Sequence, residues 1–477
     1  MTDIHQHPLS IAQGIGRNLI LLIFPLLRGL LALKFDIFTW IAGAWIDILL
    51  LLTVLSYAVL RYRSKYISFC ENCIHIKSGV FLARKCTLPT EKITTIYFSQ
   101  NLMHRLFGAV QLIIETNAGT SKKSDFSMLI SKKNADIFES NVINSVQSVI
   151  KKCYMPKMHF IVMYSVQSTS TLSGILLLSA FFSQGGAILN RRLQNEFLNT
   201  VDNISHRIVI GIPPILVAVS VVLLVGWFIG FIYNLIRYLR FNITRKANII
   251  NISKGIFIKQ KYFIFADNII SVERRQSMLT KFLGISSAFI YASGYGKGKG
   301  ESAVIFPAVT NGESDKTIKM ILPEFKFLKI ENRPPKSSWK SYILLPLLFC
   351  LIIIISILFL QGYNSSIIDI LKFSLIIALI PCVWLIIVRL LAWKLSGFSI
   401  SGDNITISYV KGFSFRKISC KKDKIIKAKI IQNPLNRISG KCKLKIYCAG
   451  EKASSHTIIG LTVKQSEYAI KKIIKQK

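Results

Sequence analysis

The sequence is poor in acidic residues and in histidine. Its 477 residues include 23 Asp+Glu against 61 Lys+Arg, and 7 His. The histidines are scattered without an HExxH pair, no GxSxG elbow surrounds a serine, and no two carboxylates pair in a strand-and-loop context. These absences remove the usual patterns of zinc protease, α/β-hydrolase and paired-carboxylate chemistry, so a non-enzymatic chain with no catalytic residue and no cofactor is expected. Nine cysteines, an odd number, do not make a fully paired disulfide scaffold. Cys70-Glu-Asn-Cys73 is a CxxC, but no second CxxC or histidine pair accompanies it. A turn between two strands is expected there, and no metal. Gly294-Tyr-Gly-Lys-Gly-Lys-Gly300 has Lys299 where GxGxxG needs glycine, and no Walker Lys-Ser/Thr follows. It reads as a hairpin tip rather than a phosphate loop. Residues 1–16 lack a basic n-region, which argues against a cleavable signal peptide.

What the chain has is apolarity in blocks and positive charge between them. It is 51% hydrophobic, with mean hydropathy +0.46 and net charge +38. Residues 61–157, 235–340 and 394–477 together carry +36 of that charge. Apolar blocks flanked by basic segments suggest membrane spans with positively charged cytosolic flanks. No RNA- or DNA-binding module is present, and membrane tethering explains the charge, so no nucleic acid is expected.

The basic segments repeat. Gln100-Asn-Leu-Met-His-Arg105-Leu-Phe-Gly108 recurs as Gln276-Ser-Met-Leu-Thr-Lys281-Phe-Leu-Gly284 and as Gln432-Asn-Pro-Leu-Asn-Arg437-Ile-Ser-Gly440. Upstream, Gly79, Gly255 and Gly412 sit 21, 21 and 20 residues before the three glutamines. Period-two runs such as Tyr66–Phe69, Ile74–Ile76, Val80–Leu82, Ile93–Ser99 and Val110–Thr116 predict strands, and a helix is expected over Asn134–Lys151. Each unit therefore reads as a β-rich domain closed by one helix, the last over Val463–Lys475.

A pair of apolar runs precedes each domain: Arg17–Leu33 with Trp40–Leu60, Phe160–Phe182 with Ile208–Tyr233, and Tyr342–Leu360 with Ile370–Leu391. A hydrocarbon core of about 30 Å needs roughly 20 apolar residues per helix. The expected architecture is an integral membrane protein with six transmembrane α-helices as three hairpins, each followed by a β-rich domain. Even parity puts all three domains and both termini on one side, and the basic junctions make that side the cytosol. The expected bounds are 1–60 for the N-terminal segment and first hairpin, 61–157 for domain 1, 158–236 for hairpin 2, 237–333 for domain 2, 334–393 for hairpin 3 and 394–477 for domain 3. His7-Pro8-Leu9-Ser10 opens a short amphipathic segment expected on the membrane surface.

Hairpin, basic stop, G…Q-x-x-[LM]-x-[KR]-x-x-G and closing helix resemble the bacterial pleckstrin-homology (PH) domain membrane proteins of the YdbS-like group. The three-copy arrangement is similar to the group's YdbT-like members. The resemblance implies a PH-like fold of two antiparallel sheets, seven strands and a C-terminal helix, in the bacterial cytoplasmic (inner) membrane. It also suggests a part in envelope homeostasis or resistance to membrane-active agents. Pro89 matches the family's proline before the central strand. Ala266 stands near that place in the second copy, and Pro434 replaces the expected leucine in the third.

Two functions fit. A membrane-anchored scaffold or binding protein would hold basic domains against anionic lipids, each nearby base adding about 1 kcal/mol. Arg105, Lys281 and Arg437 then become candidate contacts to lipid phosphate, an acidic membrane-protein partner, another repeat or a second copy in a homo-oligomer. Solvated loop bases are the plain alternative. The second function is a transporter or export component, for which Arg28, Asp47, Asp369 and Lys372 near membrane depth would matter. Gln100, Gln276 and Gln432 are expected to satisfy backbone groups at a strand end, and Gly79, Gly108, Gly255, Gly284, Gly412 and Gly440 to serve as turn residues.

Overall fold

A computed structural model describes residues 3–13, 37–70, 73–116, 125–142, 151–168, 214–292, 295, 303–360, 362, 366–449 and 454–474. Among the described residues each repeat contributes six strands in two trios and then a helix; the resemblance implied seven strands. In repeat 1 the front trio is Tyr66–Phe69, Cys73–Ser78 and Arg84–Pro89. Its back trio is Ile93–Gln100, Ala109–Thr116 and Phe126–Ser131, closed by helix Lys132–Val142. Repeat 2 has Asn242–Lys246, Ile249–Lys254 and Lys259–Phe265, then Ile269–Ser277, Ile285–Ala292 and Val304–Thr310, and helix Asn311–Ile321. Repeat 3 has Gly397–Ser401, Asn404–Lys411 and Ser414–Lys421, then Ile425–Ile431, Lys441–Cys448 and Ser454–Thr462, and helix Val463–Ile474.

The trios do not stay within their own repeats. The back trio of repeat 1 and the front trio of repeat 2 form one seven-stranded sheet, completed by Lys151–Tyr154. The back trio of repeat 2 and the front trio of repeat 3 form one six-stranded sheet. Strand Ile93–Gln100 pairs antiparallel with Lys259–Phe265, and Ile269–Ser277 pairs antiparallel with Ser414–Lys421. The two joints share one register. Ile264 faces Thr95 in the first, and Cys420 faces Ser271 at the matching place in the second. Sheet continuity thus fuses three domains into one array, because joined edges satisfy backbone groups that would otherwise meet water.

Among the described residues the outermost strands of the array lack such a partner. Among the described residues Arg84–Pro89 pairs only with Cys73–Ser78, and Ile425–Ile431 only with Lys441–Cys448. Burial follows the pairing. None of the eight residues of Ile93–Gln100 is exposed and six are buried, whereas Ile425–Ile431 at the same repeat position has none buried.

The domains are tied to long apolar helices: Ile37–Arg63, Pro214–Tyr238, Trp339–Leu360 and Ser366–Leu395. Two segments, Lys336–Leu360 and Ala378–Leu395, are long and apolar enough to cross a membrane. The described residues therefore support two candidate spans and not the six expected. The expected span at 17–33 lies outside the described residues, as do Arg28, the outer connection 183–207 and most of the run 160–182. That last run begins as helix Met158–Ser168, whose Phe160, Ile161 and Tyr164 are buried in the core of repeat 2 rather than turned outward.

Other expectations change. Val80–Leu82 is a loop before strand Arg84–Pro89, with Phe81 exposed and stacked on Tyr57 at 6.3 Å between ring centroids. Of the helix expected over Asn134–Lys151, the part to Val142 is helical, residues 143–150 lie outside the described residues, and Lys151 starts a strand. Ile4–His5 adds to the front sheet of repeat 1, and the His7 N–H donates to the Leu129 carbonyl at 2.7 Å. The N-terminal segment is thus held on a domain through backbone pairing.

Candidate functional site: the repeated turn and the joints

Each Gln–base–Gly motif folds as a strand end, one turn of helix and a strand start. The helical turns are Leu102–Leu106, Met278–Phe282 and Pro434–Ile438. The three glutamine amides donate across the turn to the carbonyls of Ala109, Ile285 and Lys441, at 3.1, 2.9 and 2.9 Å. Gly108, Gly284 and Gly440 close the turns at φ 65°, 66° and 62°, with open space where a Cβ would sit. The constraint there is the left-handed backbone itself. At Gly79 and Gly255 it is contact as well, since a Cβ would run into the carbonyls of Leu82 and Ile258.

Two of the three repeated bases are spent inside the chain. Arg105 donates from Nη2 to the Ile256 carbonyl of repeat 2 at 2.8 Å. Lys281 lies over the Phe415 ring of repeat 3, 4.4 Å from its centroid, and burial pushes its ammonium pKa down. Arg437 is exposed. The repeated position is therefore a joint contact in the first two copies.

The second joint holds a buried carboxylate. Glu273 is fully buried. It accepts from Arg275 at 2.5 Å and from the Tyr291 hydroxyl, and forms an ion pair with Arg416 of repeat 3 at 3.2 Å. Burial alone would raise its pKa, but the hydrogen bonds and positive charge of Arg275, then the charge of Arg416, hold it below the ordinary glutamate value. The first joint uses neutral partners at these positions, with Gln260 Nε2 donating to Tyr97 Oη at 2.8 Å and the rings of Tyr97 and Tyr262 stacked at 4.2 Å. Closing helices add acid. Glu139 pairs with Lys261 at 2.5 Å across the first joint, and Asp315 raises the pKa of Lys417 across the second against the larger lowering by burial.

A cavity of about 370 Å³ opens at the first joint. Lys132, Arg240, Lys254, Lys259 and Lys261 line it against Asp136 and Glu139. Arg240 follows helix Pro214–Tyr238 and has φ 57°, a left-handed conformation costly for a residue with a Cβ. The nearby Gly255 N–H donates to the Leu239 carbonyl at 2.8 Å, so the cavity adjoins the domain-side end of an apolar helix. Sequence reading missed this cluster because its bases come from two repeats. The helical turns also expose Leu106, Phe107, Phe282, Leu283 and Ile438. Beside the second turn, Met278 shares a small core with Val388 of helix Ser366–Leu395.

The Cys70 N–H donates to the Cys73 carbonyl at 2.9 Å, and His75 joins the two cysteines. Its Nε2 lies 3.2 Å from Cys70 Sγ and 3.7 Å from Cys73 Sγ, while Nδ1 meets Thr87 Oγ1 at 2.8 Å. These three residues are the group among the described ones that could hold a metal ion. The readable signal was a histidine two residues past the CxxC, at the next same-face position of the strand.

Residues 22–145, 200–314 and 344–477 match the family model described as Bacterial PH domain. The chain is also similar to the UPF0699 transmembrane protein YdbT of Bacillus subtilis (strain 168), with 20% identity over 372 residues covering 74% of this chain and 73% of that protein. No solved structure matches.

Proposed function

This chain belongs to the bacterial PH domain family, and from that premise we propose that it is a non-enzymatic membrane scaffold. Six spans in three hairpins hold the three basic domains against the cytosolic leaflet of a bacterial inner membrane, with both termini cytosolic. The array binds anionic lipid headgroups. The observation that carries this reading is the basic cavity at the first joint, with five bases and two acids next to the domain-side end of an apolar helix. A lipid phosphate there would meet several bases at once, in a site screened from bulk salt better than an open surface. Exposed apolar side chains on the helical turns support contact with the headgroup–acyl boundary, where such residues gain by leaving water. Joined sheets make the scaffold reading preferable to independent lipid-binding modules, since three modules on flexible tethers would not share backbone ladders.

The test is native mass spectrometry of the full chain released from nanodiscs containing phosphatidylglycerol or phosphatidylcholine. The expected result is retained phosphatidylglycerol, lost in an Arg240→Gln/Lys259→Gln variant. Equal retention by variant and parent, or equal retention of both lipids, would overturn the lipid assignment.

A further inference from the structure

We propose that the free edge Arg84–Pro89 is a docking strand for a second PH-like chain, one whose edge strand carries an acid where repeat 2 has Glu273. The argument starts from the two inner joints. Pro89, Phe265 and Lys421 each precede a three-residue turn, so Arg84-Lys85, Gln260-Lys261 and Arg416-Lys417 are the same two positions in the three repeats. In the joints the first position meets Tyr97 or Glu273. The second faces an acid on the preceding closing helix, Glu139 or Asp315. Arg84-Lys85 thus repeats the charge pattern of the second joint, but among the described residues no strand pairs on that edge.

The opposite end of the array is not the natural complement. Lys429 occupies the position of Tyr97 and Glu273, four residues past the turn in each copy. Docked in the common register on a second copy, Lys429 would fall opposite Cys86 and beside Arg84, at a place that is fully buried in the second joint. Burying a lysine beside an arginine with no acid is costly, and lysines on an edge strand block strand addition. The array therefore has one edge open to an acidic partner and one edge guarded by Lys427 and Lys429. This reading needs only the joints and does not depend on lipid binding.

The experiment makes the protein its own surrogate partner. Lys427→Ser/Lys429→Glu gives the guarded edge the Ser271 and Glu273 side chains of the second joint. In detergent at physiological salt, sedimentation should show no growth in mass of the parent with concentration through this edge. The variant should form head-to-tail dimers and longer species. Arg84→Glu in the variant should abolish them. Lys429→Cys should not cross-link to the native Cys86 of another parental-type copy under mild oxidation, with Cys86→Ser as control. Failure of the variant to associate, association that survives Arg84→Glu, or efficient Cys86-dependent cross-linking of Lys429→Cys would each overturn the proposal. An Arg84→Glu chain that keeps the parental melting temperature shows that lost association is not lost folding.

A separate observation carries a second site. We infer that Cys70, Cys73 and His75 bind a thiophilic divalent cation such as zinc, with water as the fourth ligand. The donor separations of 3.2 and 3.7 Å suit neighbouring corners of one tetrahedral shell, and Thr87 fixes the imidazole through its other nitrogen. Binding releases the two thiol protons to solvent. Cobalt titration of the reduced full chain should give thiolate-to-metal absorption that zinc abolishes. Cys70→Ser/Cys73→Ser should remove the band and Cys86→Ser should keep it. No band in the parent, or a band that persists in the double variant, would refute the site.

Discussion

Glu273→Gln is the sharpest perturbation of the second joint. The side chain is buried, holds Arg275 and Arg416, and accepts from Tyr291. Glutamine keeps the shape and one acceptor but removes the charge that neutralises two guanidinium groups. Breaking a buried pair by removing one partner costs about 3–5 kcal/mol. Arg275 is not fully buried and can still reach solvent, so the lower end, roughly 3 kcal/mol, is expected. If that cost falls on opening of the joint, the opening constant rises by about 100-fold, at 1.4 kcal/mol per tenfold. Amide exchange should then quicken by that factor in Ser414–Lys421 and Ile269–Ser277 and stay nearly unchanged in Lys259–Phe265 at the other joint. Acid should act in the same direction. The depressed carboxyl contributes stability above the ordinary glutamate range, and the contribution is lost as pH falls through the depressed value. Unchanged exchange at the second joint, or equal quickening at both joints, would refute the assignment of this cluster to the joint.

Gly108→Val, Gly284→Val and Gly440→Val should each cost about 1–3 kcal/mol through backbone strain alone and lower protein abundance in the membrane; normal abundance with lost function would contradict this. Gly255→Ala should destabilise more than Gly412→Ala, since a Cβ collides with a carbonyl only at the former, as thermal unfolding of the two variants would show. Lys65, half-buried beside Arg61, has its pKa lowered to about 8, with desolvation the larger cause and the charge of Arg61 the smaller. Its folded form gives up the proton earlier than the unfolded chain, so stability should rise between pH 8 and the ordinary lysine value, and Lys65→Met should flatten that rise. Single cysteine probes at 190–200 should react with an impermeant reagent in whole cells, and a probe at Lys316 should not; labelling of Lys316 would reverse the proposed orientation.

The repeated motif was legible because it is local. A glutamine, a base five residues on and a glycine eight on belong to one turn, and no distant contact is needed to recognise it. Two strands of each trio in repeat 1 were legible for the same reason, through period-two runs and turn glycines, while the third strands, Arg84–Pro89 and Phe126–Ser131, were not. The joints were not. Gln260 meets Tyr97 across 163 residues, and a strand's own alternation does not say which sheet it joins. A signal did exist in the comparison of copies: Thr-Thr-Ile-Tyr-Phe after Ile93 is apolar on both faces, whereas Ile-Lys-Ala-Lys after Ile425 is guarded by lysine. Arg105 illustrates the cost of missing it. Read alone it is a loop base free to meet phosphate, but the next repeat supplies the Ile256 carbonyl. Phe81 misled in the opposite way, since its apolarity suggested a strand where it reaches the helix through Tyr57.

The central claim is that shared sheets lock three domains into one array. The direct measurement is the distance distribution between spin labels at Lys133 and Lys464, on the closing helices of repeats 1 and 3, in a reconstituted chain whose nine native cysteines are replaced. One narrow distribution is expected, and it should broaden when Glu273→Gln opens the second joint. A distribution already broad in the parent, and unaffected by Glu273→Gln, would contradict the account.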